Sequence, residues 1–147
     1  MALSNIFDVA GTGMSAQTIR LNTVASNIAN AESVSSSVGE TYRARHPIFS
    51  AVSTKDPLSF ASAFDSALSE TAGVQVKGIV ESQAPLRKQY EPGNPQADEE
   101  GYVFYPNVNV VEEMANMISA SRSFQTNVEL MNTTKQMLQR VLTLGQQ

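Results

Sequence analysis

Apolar residues recur along the first thirty positions in alternating steps of four and three. Leu3, Phe7, Ala10, Met14, Gln17, Leu21, Val24 and Ile28 keep this rhythm, with Gln17 as its one polar member. A spacing that averages 3.5 residues holds one helix face against a partner, so the stretch predicts a helix with a coiled-coil seam. Such a helix is about 40 Å long at 1.5 Å per residue. Gly11 and Gly13 interrupt it, each costing about 1 kcal/mol relative to alanine. Alone in water, this arm is marginal.

The other end of the chain carries the same rhythm more strongly. Met114, Met117, Ser121, Phe124, Val128, Met131, Lys135, Leu138 and Leu142 form one seam, and Leu130, Met137, Val141 and Leu144 form a second stripe beside it. Four methionines lie on these stripes, where a flexible thioether fills irregular gaps. Pro106 precedes this helix, and Gly145 stands where a terminating residue is expected.

Between the arms the pattern changes. "SVSSSVGETYRARHPIF" reads as a polar turn followed by a short extended segment. "DPLSFASAFDSAL" suggests a short helix capped by Asp56, with Pro57 at its first position and Phe60, Phe64 and Leu68 on one face. "GVQVKGIVES" alternates as a strand does, and "YVFYPNV" predicts a second strand closed by Pro106. "EPGNPQADEEG" between them is turn-rich. The expected fold is therefore mainly α with a small β insertion. The two long terminal helices pair as an antiparallel coiled-coil hairpin around a β-rich middle.

Composition narrows the function. A chain of 147 residues with a net charge of -4 and scattered basic residues does not suit nucleic acid or an anionic membrane surface. It has no cysteine, hence neither disulfides nor thiolate chemistry. No stretch nears the roughly 20 apolar residues of a membrane span. The first thirty residues show no cleavable signal.

Candidate chemistry is equally thin. His46 is the only histidine, so no Ser-His-Asp or Cys-His arrangement is available. The run Asp98, Glu99, Glu100 lacks the ligand spacing of a calcium loop and reads as a solvated turn. "AGTGMS" lacks the Lys-Ser/Thr ending of a phosphate loop, and its glycines suit close helix packing. Glu112 and Glu113 fall at the start of the last helix, where carboxylates favour the positive dipole end. Nothing indicates an enzyme, a cofactor, a metal or a small-molecule substrate. Periodicity alone leaves two structural readings open, a polymerising subunit and a non-polymerising helical adaptor or export-linked binding module.

One stretch is unusual. "VASNIANAES" crowds Asn27 and Asn30, with Ser26 between Asn22 and Asn27 and Ser33 following, into the end of a regular helix. Ser26, Asn27 and Asn30 can satisfy the orphan carbonyls of the last turn or the amides of the next one. "ASNIANAES" also resembles the N-terminal signature of the bacterial flagellar rod, hook and hook-associated proteins, with Asn27, Ile28, Ala29 and Asn30 on its central positions. The usual T-x-G-Tyr/Phe continuation is absent. "VSSSVGETYRARHPIF" follows instead, as in the proximal-rod branch of that family. The opening of the chain, the middle around "YEPGNPQAD" and the last helix to "LTLGQ" resemble the same branch, and residues 50–72 match least.

The resemblance implies a structural role. Residues 1–32 would be an N-terminal axial helix, 33–106 a middle segment with a variable stretch at 50–72, and 107–147 a C-terminal axial helix. Such subunits pass unfolded through the flagellar type III export apparatus without signal cleavage. They assemble helically, with themselves and other rod proteins, into the basal-body rod that crosses the periplasm. Their terminal helices line the export channel, and the rod transmits torque as a drive shaft. On that reading the seams supply the assembly interface, from Leu3, Phe7, Met14, Leu21, Val24 and Ile28 on one arm. The other arm supplies Met114, Met117, Phe124, Val128, Met131, Leu138 and Leu142.

Overall fold

The computed structural model describes residues 2–53 and 71–144. The short helix expected from Asp56, and the role of Gly145 as terminator, fall outside the described residues. In chain order the elements are α1 (Ala2–Ala29), β1 (Arg45–Ser53), β2 (Thr71–Glu81), β3 (Arg87–Tyr90), β4 (Tyr102–Tyr105) and α2 (Val110–Leu144). Two long helices thus flank a middle of small antiparallel sheets.

Each sheet is a two-stranded ribbon. β1 pairs with β2 from Arg45 opposite Glu81 to Ser53 opposite Thr71, with irregularities at Ile48/Phe49 and Val52/Ser53. β3 pairs with β4 from Arg87 opposite Tyr105 to Tyr90 opposite Tyr102. β3 reads only Arg-Lys-Gln-Tyr, which gave no strand signal. Its partner supplies what it lacks: the Tyr90 and Tyr102 rings meet edge to face at 5.2 Å, and Lys88 Nζ lies 4.0 Å from the Tyr102 ring centre. In the loop between these strands, Asp98 Oδ1 accepts from the Glu100 and Tyr102 amides. The first member of the acidic run is therefore spent on the turn itself.

Cross-helix contacts show that α1 and α2 run antiparallel. Gly13 meets Asn127, Arg20 Nη2 donates to Asn116 Oδ1 at 2.9 Å, and Asn27 Nδ2 donates to Glu113 Oε2 at 2.9 Å. As the number rises on one helix it falls on the other. The residues α2 buries are Glu113, Ala120 and Thr134, which keep a heptad frame, and Met117, Phe124 and Met131 lie half-buried beside them. The hairpin seam thus sits one residue ahead of the expected Met114, Ser121 and Lys135 positions. Its members are small or polar. Thr134 tolerates burial because its hydroxyl returns to the Leu130 carbonyl at 2.8 Å.

Helix α1 is buried on two faces. One carries Gly13, Arg20 and Asn27 toward α2. The other faces the β1–β2 ribbon, where Thr12 Oγ1 accepts from the Val74 amide at 3.2 Å. Ala10, Ala16, Thr23 and Val24 are the buried residues of its middle. Only Gly13 of the two glycines is used for close packing; a Cβ at Gly11 would meet nothing within 4 Å. A compact core of Ala31, Ala44 and Val108, flanked by Tyr42 and Val110, forms where α1 ends and α2 begins.

Candidate functional site

The junction between the helices is built around Asn27, whose side chain is fully buried. Its Oδ1 accepts from the Arg45 amide at 2.9 Å and from the Tyr42 hydroxyl at 2.8 Å. Its Nδ2 donates to the Arg45 carbonyl and to Glu113 Oε2, both at 2.9 Å. Two donors and two acceptors are all a carboxamide has, and all four are satisfied. The Arg45 backbone thus faces Asn27 as it would face a neighbouring strand. Asn27 joins the end of α1, the start of β1 and the first turn of α2.

Asn30 does a different job. Its Nδ2 donates to the Ser26 carbonyl at 2.8 Å, satisfying a backbone acceptor of the last turn, and Ser33 Oγ donates to the Asn30 carbonyl at 2.7 Å. The helix-ending role read from the sequence therefore belongs to Asn30 and Ser33. Ser26 Oγ instead lies 3.2 Å from the Tyr42 hydroxyl, and Asn22 is exposed.

A second carboxamide fixes the same region from the other side. Asn107 Oδ1 accepts from the Ala44 amide at 2.8 Å, and its Nδ2 donates to the Ala84 carbonyl at 2.9 Å and the Ser82 carbonyl at 3.3 Å. Arg43 Nη1 reaches the Ser82 carbonyl at 3.1 Å. At the head of α2, Asn109 Oδ1 accepts from the Val111 amide at 3.2 Å, as an N-cap side chain does. Glu113, only 4% exposed, then sits in the first turn with the dipole in its favour. Asn27 supplies a hydrogen-bond partner to Glu113, whereas Glu112 is exposed.

The outward side of α2 is the opposite in character. Val111, Met114 (52%), Ile118 (57%), Leu130, Met137, Leu138, Val141, Leu142 and Leu144 are all exposed. Of the residues expected at an assembly interface, Val24 is buried. Phe7, Met14, Leu21, Ile28, Met117, Phe124, Val128 and Met131 are half-buried, and Met114, Leu138 and Leu142 are exposed. The side chain of Leu3 lies outside the described residues. A cleft of about 600 Å³ beside the junction is lined mainly by polar loop residues from Asn30 to Arg45 and by Glu81, whose carboxylate pairs with Arg45 at 3.0 Å. Among the described residues no group of three or more His, Cys, Asp or Glu is placed to hold a metal ion. No helix among them is long and apolar enough to cross a membrane.

A buried polar lock at the root of two long helices, with an apolar stripe turned outward, is what a subunit built to be stacked would carry. Comparison with known proteins identifies the family. Residues 7–34 match the family described as flagella basal body rod protein, and residues 99–144 match the flagellar basal body rod FlgEFG protein C-terminal family. The chain belongs to the flagellar basal-body rod protein family.

Within that family it is similar along its whole length to proteins named flagellar basal-body rod protein FlgC. It is 50% identical to that of Salmonella typhimurium over 147 residues, covering 99% of this chain and 100% of the relative. For Yersinia enterocolitica the identity is 49% over 146 residues, with the same coverage. For Borreliella burgdorferi it is 35% over 154 residues, covering 99% of both. Asn27 and Glu113 fall within the two family-matched stretches.

Proposed function

We propose that this chain is a structural subunit of the proximal flagellar rod, stacked helically with copies of itself and with other rod proteins around the export channel. The observation that carries this reading is the outward stripe of α2. A chain of this size has no reason to leave Met114, Ile118, Leu138, Leu142 and their neighbours exposed unless other chains cover them. Each large apolar side chain buried at a neighbour contributes about 1.5–3 kcal/mol. Summed over one stripe, that is ample to hold subunits whose internal seam is small and polar.

In the assembled rod the stripes of α1 and α2 continue as coiled-coil contacts between subunits. The interface draws on Leu3, Phe7, Met14, Leu21 and Ile28 of α1, whereas Val24 packs inside the subunit. From α2 it takes Met114, Met117, Phe124, Val128, Met131, Leu138 and Leu142. A tube closed by such contacts transmits torque along its axis. The chain reaches the periplasm through the flagellar type III export apparatus.

Removal of the gene, followed by motility assay and microscopy of basal bodies, tests this function. The expected result is loss of swimming, with structures halted before a complete rod and restored by the intact gene. Complete rotating flagella in its absence, with no second copy present, would favour a non-polymerising helical adaptor instead.

A further inference from the structure

We propose that Glu113 acts through Asn27 as a positioning residue that couples the first turn of α2 to the root of the β1–β2 ribbon. Glu113 does not hydrogen-bond the ribbon. Its Oε2 accepts from Asn27 Nδ2, and Asn27 Oδ1 in turn accepts from the amide of Arg45, the first residue of β1.

The chemistry of the carboxamide makes the relay directional. An Asn side chain rotated by half a turn about its last bond has nearly the same shape but exchanges donor and acceptor. In the rotated state, Oδ1 would face the Glu113 carboxylate and the Arg45 carbonyl, both acceptors. Nδ2 would face the Arg45 amide and the Tyr42 hydroxyl, and the amide is a donor with nothing to accept. Glu113 Oε2 accepts from Asn27 Nδ2, and a carboxylate offers acceptors only, so Glu113 adds its weight to one orientation. It keeps Oδ1 aimed at Arg45.

A second tie runs in parallel. Asn107, three residues before α2 begins, holds the Ala44 amide and the carbonyls that follow β2. The ribbon root is therefore gripped at Ala44 and Arg45 by two carboxamides. One is seated just before α2 and the other is oriented from within its first turn. A shift of the head of α2 against α1 disturbs both. The arrangement links the helix pair to the middle segment whether or not the chain is a rod subunit.

Amide exchange of the purified full-length chain, followed by NMR, tests the relay. Glu113→Ala is expected to speed exchange at Arg45 by about tenfold, the scale of one lost hydrogen bond. The Phe104 amide, held by Ser35 at 3.0 Å away from the relay, should stay as in the parent chain. Glu113→Gln keeps an oxygen acceptor and should leave Arg45 protected. Undiminished protection of Arg45 in a folded Glu113→Ala chain would overturn the proposal.

A second pair of variants tests the relay even where Glu113→Ala does not fold. Asn27→Asp sets two carboxylates face to face. Adding Glu113→Gln restores a donor between them, so the double variant should regain part of the Arg45 protection lost in the single one. No regain would also overturn the proposal.

Discussion

Gly13 of α1 lies directly against Asn127 of α2, so close that a Cβ on the glycine would stand 2.9 Å from Asn127 Nδ2. Two residues earlier, Gly11 faces open space. The two glycines look alike in the sequence, yet only one is a packing device.

Their alanine variants separate the roles. Gly11→Ala should stabilise the chain by about 0.5–1 kcal/mol, since a helix-interior glycine costs that much in backbone entropy. Gly13→Ala has the same helix preference in its favour but must turn the Asn127 amide aside, so its gain is smaller or reversed. Urea unfolding of the two single variants checks the order.

Gly73 marks a second close approach. Its φ is +150°, and a Cβ there would collide with the Thr12 hydroxyl. That hydroxyl donates to the Val9 carbonyl and accepts from the Val74 amide, pinning the ribbon to α1. Gly73→Ala should cost more than about 1 kcal/mol, because its conformation disfavours a side chain and the collision adds to it. Adding Thr12→Ala relieves part of the clash, so the double variant should lose less than the sum of the singles in a thermal unfolding cycle.

Tyr105 gives the chain an alkaline signature. It donates to Glu91 Oε1 at 3.0 Å, and this bond, helped by the nearby negative charge of Glu91, holds its phenol above the usual value of 10.0. A raised value means that folding favours the protonated form. The resulting stabilisation is complete below pH 10 and is lost as the pH climbs through the folded value. Near-ultraviolet titration of tyrosinate should therefore lose a component that titrates above the usual value in Tyr105→Phe. The parent chain should also shed its stability advantage over that variant above pH 10.

The two arms were legible because a 3.5-residue rhythm survives in both, and the strands β2 and β4 because β-branched or aromatic residues cluster there; β1 was legible only as a short extended segment. Which face of α2 points inward was not. Met114 is exposed and its neighbour Glu113 is buried. Hydrophobicity is strongest on the outer stripe of α2, whereas the buried positions of the inner seam are small residues and polar pairs. A pattern read from one chain cannot tell a neighbour inside the molecule from one outside it.

The polar junction was half legible. The Asn-rich run announced a helix end, and Asn30 and Ser33 serve it. The ties from Asn27 to Glu113 and from Asn107 to Ala44 span 86 and 63 residues, so no local spacing reveals them. β3 is not legible because Arg87–Tyr90 has no apolar alternation, and it is held by cation–π and edge-to-face contacts from its partner.

If the chain is a rod subunit as proposed, neighbouring subunits cover the outward stripe of α2. The chain has no cysteine, so Ile118→Cys introduces a single thiol on that stripe. Maleimide labelling should be rapid in the purified monomer, strongly suppressed in isolated basal bodies, and rapid again once those are dissociated. Equal labelling in monomer and basal body would mean that the stripe stays uncovered in the rod.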